Sequence, residues 1–272
     1  MGILNVTPDS FSDGGQLQTE KDSGVFRVSV DKALQHADQM IQAGAAFIDV
    51  GGESTRPGAP AVSEQEELDR VVPVLEALRR EFDVAVSVDT STPRVIAAAV
   101  DAGAVLVNDV RSLSRPGAIE AAAGGEAAIC LMHMRGQPQT MQQDVRYTDV
   151  VEEVVSYLRE RIMTCENAGI ARERLLIDPG FGFGKTPEHN FQLLAQLQAF
   201  RSFDLPILIG ISRKSMLGAA TGRSVDQRVP AGIAATMVAL MHGASIIRTH
   251  DVAATIDAIQ VYRAVMGAPI TR

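Results

Sequence analysis

The stretch VAVSVDTSTPRVIAAAVDAGAVLVND, residues 84–109, contains a complete strand–helix–strand unit. It opens with an apolar, β-branched run over Val84–Val88 and closes with another over Val105–Asn108. Near-continuous apolar runs of this kind are typical of strands that are buried on both faces. Between them, Thr92-Pro93 predicts the start of a helix, because threonine caps helices and proline suits the first helical position. The stretch therefore predicts two parallel strands joined by a helical crossover.

The same rhythm of apolar strand and amphipathic helix continues in both directions along the chain. Ser63 and Glu66 predict a capping box ahead of one helix, and Thr186-Pro187 predicts the start of another. The predicted strands are Gly2–Val6, Ala46–Val50, Val84–Val88, Val105–Asn108, Ala128–His133, Leu175–Asp178, Ile207–Ile211 and Ser245–Arg248. Eight such units fit the 272 residues of the chain, which predicts an α/β fold, a single-domain (β/α)8 TIM barrel over residues 1–272. An open, doubly wound sheet is the alternative, and the absence of G-x-G-x-x-G after the first strand argues against it.

Composition narrows the possible partners. The formal net charge is −8 and no basic stripe is present, which argues against binding to nucleic acid. Cys130 and Cys165 form no C-x-x-C pair and lie in apolar stretches, which predicts buried free thiols in a reducing compartment. The N-terminus lacks the features of a signal peptide, and the most apolar stretch, Ala231–Ile247, is interrupted by His242 and glycines. We therefore expect a cytoplasmic protein without a membrane partner.

Polar residues cluster where the predicted strands end, which is where (β/α)8 barrels carry their catalytic groups. Carboxylates and an amide end the third, fourth and sixth strands: Asp89, Asn108 and Asp178. Cationic or potentially cationic groups follow the seventh and eighth: Arg213, Lys214, Arg248 and His250. Since all these ends share one face of a barrel, the sequence predicts an acidic half and a cationic half of one site.

The two halves suggest the chemistry of a ligand. Loops after strands seven and eight often bind phosphate, and arginine donates paired hydrogen bonds to it. Salt bridges to Asp251 or Asp226 are the alternative use of these cations. The acidic half suits a donor-rich group, which could be a 2-amino-4-oxo pterin, a guanidine or another aminated heterocycle. His133 is either a site residue or, with Met132 and Met134, a residue that shapes the barrel mouth. Lys214 could form a Schiff base, although its cationic neighbours favour hydrogen bonding.

Five segments, taken together, resemble the dihydropteroate synthase family. They occur in the family's order and span essentially the whole chain: residues 2–15 (GILNVTPDSFSDGG), 49–58 (DVGGESTRPG), 178–185 (DPGFGFGK), 212–215 (SRKS) and 248–251 (RTHD). The resemblance implies a transferase of folate biosynthesis that joins 6-hydroxymethyl-7,8-dihydropterin diphosphate to 4-aminobenzoate.

The resemblance also implies roles for individual residues. The implied catalytic residues are Asp89, Asp178, Lys214, Arg248 and His250. The pterin ring would be held by Asp178, Asn108, Asp89 and Lys214, and the diphosphate by Arg248 and His250. Asn5 would bind Mg2+ together with the diphosphate. The 4-aminobenzoate pocket, which sulfonamides would occupy, would be shaped by Phe11, Thr55, Arg56, Pro57, Phe183 and Ser212.

Further expectations follow from the same resemblance. The family pattern implies a homodimer formed through the late helices. The chain begins almost on its first strand, so we expect the family's N-terminal segment to be missing or replaced, and Gln16–Val28 looks longer than the usual first loop. A pterin-binding methyltransferase and a non-catalytic pterin-binding relative are the rival interpretations. The expected reaction is dissociative, with diphosphate leaving before the aniline nitrogen attacks.

Overall fold

The structure is a computed structural model that describes residues 1–7, 28–54, 62–137, 140–142 and 145–267. It contains eight parallel β-strands in these residues. They are β1 Gly2–Asn5, β2 Phe47–Gly51, β3 Ala85–Asp89, β4 Leu106–Asp109, β5 Ala128–Met132, β6 Leu175–Asp178, β7 Leu208–Ile209 and β8 Ile246–Ile247.

The strands close into a barrel. Strands β1 to β6 pair in sequence order, and β7 pairs with β8. Parallel bridges between Ile177 and Ile207 and between Gly2 and Thr249 join the two sheets. The second junction is reinforced because the Ile3 N–H donates to the Thr249 carbonyl at 3.1 Å. The predicted (β/α)8 barrel is therefore confirmed, with β7 and β8 shorter than the sequence predicts.

Helices surround the strands. Within the described residues they are α1 Val30–Gln42, α2 Glu64–Glu81, α3 Pro93–Asp101, α4 Ala118–Ala123, α5 Val150–Asn167, α6 Pro187–Ala195, α7 Ser215–Thr221, α8 Val229–Met241 and α9 Val252–Val265. In this part of the chain every helix is too short or too polar to cross a bilayer. Both cysteines are buried free thiols, as predicted.

The capping signals predicted at three helix starts are met to different degrees. At α6 the Thr186 hydroxyl accepts from the His189 backbone N–H, and His189 Nδ1 accepts from the Thr186 backbone N–H. Only half of the box predicted at α2 forms, because Ser63 accepts from the Glu66 N–H while the Glu66 carboxylate pairs with Arg70. Thr92 precedes α3 as predicted, but its hydroxyl makes no cap and donates to a glutamate of α2 instead.

Two apolar layers place the functional face. A large core lies between the strands and the helices, and every second strand residue, such as Val107 and Ile177, packs into it. The neighbouring strand residues point to the other face and form a small second core of Leu106, Cys130, Leu176 and Leu208. Because side chains alternate across a strand, this second core fills the barrel interior. Residues two positions further along the same strands, Asn108 after Leu106 and Asp178 after Leu176, therefore face the interior at its C-terminal mouth.

Candidate active site

The mouth of the barrel gathers polar side chains from neighbouring strands. The strand register aligns Asn5 with Gly51, Gly51 with Asp89, and Asp89 with Asn108. Asp178 ends β6 and Arg248 directly follows β8, so both belong to the same rim. The sequence prediction that one rim carries the acidic and the cationic groups is therefore confirmed.

Asp49, in the middle of β2, is the centre of a buried polar network. Its side chain is fully inaccessible to solvent. One carboxylate oxygen accepts from the Ser87 hydroxyl at 2.6 Å, and the other accepts from the Asn108 amide at 3.1 Å and from Arg248 Nε at 2.6 Å. This arrangement satisfies a buried charge that would otherwise be costly.

Arg248 connects this network to a second carboxylate. Its Nη2 donates to Asp89 Oδ2 at 2.7 Å. Burial raises the pKa of Asp89 to about 7, and the charge of Arg248 opposes that rise. Burial acts to lower the pKa of Arg248, but Asp49 and Asp89 raise it above its usual value. The guanidinium therefore stays charged, whereas Asp89 changes protonation near neutral pH.

Asp178 is buried on the opposite side of the mouth. Its Oδ1 accepts from the Gly180 N–H at 2.7 Å, which fixes the orientation of the carboxylate. Burial raises the pKa of Asp178, and the charge of Lys214 is the main influence that lowers it. Gly180 has a φ of +72°, and a Cβ there would lie 1.8 Å from the His133 carbonyl oxygen. The turn that orients Asp178 therefore requires glycine.

Lys214 lies between the acidic network and the loop after β6. Its Nζ donates to the Phe181 carbonyl and lies 4.6 Å from the centre of the Phe183 ring. Burial lowers the pKa of Lys214 to about 8, while Asp178 opposes the fall. A flat ring held against Asp178 would thus meet a cationic amine and an aromatic side chain.

The loops after β7 and β8 contact each other through Ser212. Its hydroxyl accepts from the His250 N–H at 3.2 Å and lies 3.2 Å from His250 Nδ1. Arg213 donates to both carboxylate oxygens of Asp251, at 3.2 and 2.7 Å. For Arg213 the salt bridge to Asp251, which was the alternative use of this cation, is the one observed.

The residues near Asn5 are suitable for a magnesium ion. A Cβ on Gly51 would lie 3.4 Å from Asn5 Oδ1 and 3.7 Å from Asp89 Oδ2, so two oxygen donors converge where glycine leaves room. Among the described residues there is no cluster of three or more histidines, cysteines or carboxylates that could hold a metal. Magnesium commonly takes one or two protein oxygens and completes its shell with water and substrate phosphate, so this donor set fits it.

Comparison with known proteins identifies the family. The model of the family described as "Pterin binding enzyme" matches residues 1–250. The chain is 53% identical to the dihydropteroate synthase of Escherichia coli K12 over 268 residues, 98% of this chain and 92% of that protein. The chain belongs to the dihydropteroate synthases of the pterin-binding enzyme family. It is accordingly a transferase.

Solved structures of the family agree with the barrel. A Yersinia pestis dihydropteroate synthase in a sulfonamide drug complex superposes with a TM-score of 0.92 at 53% identity, covering 98% of this chain and 94% of that one. The Burkholderia cenocepacia dihydropteroate synthase complexed with 7,8-dihydropteroate gives a TM-score of 0.85 at 46% identity, with 98% and 91% covered.

Not every predicted site residue of this dihydropteroate synthase can be placed. Phe11, Thr55, Arg56 and Pro57 lie outside the described residues, as do residues 16–27 of the stretch that looks longer than the usual first loop. The other predicted residues lie at or shortly after the C-terminal ends of barrel strands, at the mouth: Asn5, Asp89, Asn108, Asp178, Phe183, Ser212, Lys214, Arg248 and His250.

Two members of the polar network were missed by the sequence reasoning. Asp49 and Ser87 are aligned in the register of β2 and β3, and both are fully buried. A signal was present, because each is a polar residue in the middle of a strand that is otherwise apolar on both sides. A charged residue in such a strand is almost always paired, and this predicts a role inside the barrel.

Proposed function

We propose that this protein joins 6-hydroxymethyl-7,8-dihydropterin diphosphate to 4-aminobenzoate, giving 7,8-dihydropteroate and diphosphate. The observation that carries the proposal is the network in which Arg248 bridges Asp49 and Asp89 at the mouth that also holds Asp178 and Lys214. Acidic and cationic groups are thus close enough for one substrate to use both. The Burkholderia relative binds 7,8-dihydropteroate, the product named here.

The acidic half would recognise the pterin ring. The 2-amino group and the adjacent ring N–H are neighbouring donors, and the Asp178 carboxylate can accept from both. Asn108 offers both a donor and an acceptor to the next ring atoms, and Lys214 can donate to the ring's carbonyl or nitrogen. Each of these groups is buried or half-buried, and a buried polar group that loses its partner costs about 1–3 kcal/mol. A ring that lacks the pattern would therefore bind weakly.

The cationic half would bind the diphosphate. Arg248 uses Nε and Nη2 for Asp49 and Asp89, so we assign its outward donors to the diphosphate, together with the His250 ring. Mg2+, held by Asn5 and the diphosphate, would supply positive charge that makes the diphosphate a better leaving group. The three contacts would neutralise charge that grows on the leaving oxygen as its bond breaks.

The chemical change involves one broken and one formed bond. The bond between the exocyclic carbon and the diphosphate oxygen breaks, and its electron pair leaves with the diphosphate. The positive charge is shared with the electron-rich pterin ring, and the carboxylates of Asp89 and Asp178 lower its energy. The aniline nitrogen of 4-aminobenzoate then forms the C–N bond with its lone pair and passes one proton to water or to the departed diphosphate. No covalent bond to the protein is needed.

The second substrate would enter beside the loops after β6 and β7. Phe183 and Ser212 are the described residues that we assign to the 4-aminobenzoate pocket, and Phe11, Thr55, Arg56 and Pro57 complete the assignment. Phe183 supplies an aromatic wall for a flat ring. The Yersinia relative is solved with a sulfonamide drug, and we propose that sulfonamides compete with 4-aminobenzoate in this protein too.

The assembly and location are further parts of the proposal. Large apolar side chains are exposed on α8 and α9, which pack against each other, and on the residue that follows α9: Val238, Met241, Val261, Val265 and Met266. Large apolar side chains exposed on neighbouring helices are commonly part of a protein interface, and these side chains support a homodimer formed through the two helices. Two buried free thiols are compatible with the reducing cytoplasm, where we place the reaction.

Diphosphate release tests the proposal. The purified protein is mixed with Mg2+ and pterin diphosphate, and release is followed with and without 4-aminobenzoate. We expect release that depends on 4-aminobenzoate and equals the dihydropteroate formed. A methyltransferase or a non-catalytic pterin-binding protein would give no such release, and release that ignores 4-aminobenzoate would indicate hydrolysis; either result overturns the proposal.

A further inference from the structure

Lys185, at the end of the loop after β6, is a buried lysine to which the proposed reaction gives no task. Its side chain is 3% exposed. Its Nζ lies 2.8 Å from His133 Nδ1 and donates to the carbonyl oxygens of Gly180 at 2.8 Å, Phe183 at 3.1 Å and His133 at 3.3 Å. One nitrogen thus connects the first and the last part of its own loop to the end of β5.

His133 is suited to accept a hydrogen bond from this lysine. Burial lowers the pKa of His133 to about 2, so the ring is neutral, and burial also lowers the pKa of Lys185 well below its usual value. The ring is held edge-on against Tyr157, with the centroids 4.9 Å apart. A neutral imidazole held in place offers a fixed acceptor at Nδ1.

The loop between Gly180 and Lys185 lies directly against the chain that follows β5. A Cβ on Gly184 would lie 2.5 Å from the Arg135 carbonyl oxygen, and the Tyr147 hydroxyl donates to the Gly184 carbonyl at 2.9 Å. The Gln142 amide donates to the Gly182 carbonyl at 2.7 Å. These contacts fasten the outer side of the loop, and Lys185 fastens its inner side.

The same loop holds the groups that place Lys214. The Phe181 carbonyl accepts from Lys214 Nζ, and the Phe183 ring lies 4.6 Å from it. The Gly180 N–H orients Asp178. Residues 180 and 183 both supply carbonyl oxygens to Lys185. A change at Lys185 is thereby transmitted to both charged groups that face the proposed pterin ring.

We propose that Lys185 is a positioning residue for the pterin ring, which it serves by tying the Gly180–Lys185 loop to His133 and so fixing Asp178 and Lys214. The inference rests on the proposed function, from which it takes pterin diphosphate as the ligand and Arg248 and His250 as the diphosphate site. Lys185 itself touches no substrate. Its effect should therefore fall on the ring end of the ligand and spare the diphosphate end, which Arg248 and His250 bind.

Calorimetry with two ligands tests the proposal in the full chain with Mg2+ present. The dissociation constants of pterin diphosphate and of inorganic diphosphate are measured for the wild type, Lys185→Met, His133→Leu and His133→Asn. Asparagine keeps an acceptor near the position of Nδ1, whereas leucine removes it. Lys32→Met makes the same chemical change at an exposed position of α1 and is the control.

We expect Lys185→Met to weaken pterin diphosphate binding by about tenfold or more, because the hydrogen bonds of a buried amine are lost. His133→Leu should weaken it less, His133→Asn should restore most of the affinity, and inorganic diphosphate should change by less than about twofold throughout. Equal weakening of both ligands would indicate a general structural role and overturn the proposal. So would unchanged pterin diphosphate binding in folded Lys185→Met and His133→Leu.

The outcomes stay separable from the proposed function. If Lys185→Met does not fold, the pair of His133 variants decides, because His133→Leu leaves Lys185 its carbonyl acceptors. A wild type that binds pterin diphosphate but releases no diphosphate with 4-aminobenzoate would contradict the proposed reaction and leave the Lys185 comparison intact. A wild type that does not bind pterin diphosphate at all would overturn both.

Discussion

Replacing Arg248 with methionine removes the cation between two buried carboxylates. Arg248 lies 2.6 Å from Asp49 and 2.7 Å from Asp89, and the side chains of these aspartates are 0% and 11% exposed. Methionine keeps an apolar stem of similar length, so the change mainly removes charge and hydrogen bonds. Removing one partner of a buried pair typically costs about 3–5 kcal/mol of unfolding free energy.

The raised pKa of Asp89 reduces the loss of unfolding free energy expected for the Arg248→Met variant and makes that loss depend on pH. Burial already raises that pKa to about 7, and losing Arg248 raises it further above the unfolded value of 3.8. Below pH 7 Asp89 is protonated in the folded protein with or without Arg248, so the lost charge interaction between Asp89 and Arg248 contributes little to the loss of unfolding free energy. Above pH 7 only the variant keeps the proton when folded, and each unit of pKa difference costs about 1.4 kcal/mol. We therefore expect a loss of about 3 kcal/mol at pH 8 and a smaller loss at pH 6.

Urea unfolding at the two pH values measures this loss. Arg80→Met removes an exposed pair with Glu81 and is the control, which should change little because exposed ion pairs contribute little. A loss at pH 8 below about 1 kcal/mol, or a larger loss at pH 6 than at pH 8, would refute the reasoning.

The Arg248→Met variant should also release diphosphate slowly while keeping most of its affinity for the pterin ring, and unchanged turnover would contradict the role assigned to Arg248.

Three further predictions concern the same mouth. The pH profile of kcat/KM should be bell-shaped, because Asp89 loses its charge as pH falls below about 7 and Lys214 loses its charge as pH rises above about 8. The Lys214→Arg variant should lack the alkaline limb of the profile. A flat wild-type profile between pH 6 and 9 would contradict this prediction. Asp178→Asn should abolish measurable pterin binding in calorimetry, and near-native affinity would contradict ring recognition by its carboxylate. Gly180→Ala should cost roughly 2–4 kcal/mol in urea unfolding, because strain at positive φ adds to overlap with a carbonyl oxygen. Gly169→Ala, at a positive φ with nothing within 4 Å of the added Cβ, should cost less, and equal losses would refute the overlap argument.

The barrel and the rim were predictable because they depend on local patterns. Near-continuous apolar runs fix the strands, and the C-terminal ends of parallel strands must meet at one face. The ends of β7 and β8 were less predictable. The hydrogen bond from the Arg248 N–H to the Ile209 carbonyl continues the pairing beyond the two residues of each strand, but the regular ladder is shorter than the apolar runs.

The pairing inside the site could not be predicted from the sequence. Arg248 contacts Asp49 and Asp89, which are 199 and 159 positions away, and no local signal selects these partners over the diphosphate. The sequence predicted cations at this rim, but it gave the pairing of Arg213 with Asp251 only as an alternative to anion binding. The positions of the groups follow from the fold, whereas their partners depend on side-chain reach across the barrel.

The position of pterin diphosphate relative to Asp178 and Arg248 tests the central claim most directly. A crystal structure of the protein with Mg2+ and this ligand should show the ring's amino group and N–H on the Asp178 carboxylate and the diphosphate on Arg248 and His250. A ring bound away from Asp178, or a diphosphate out of reach of Arg248, would contradict the account.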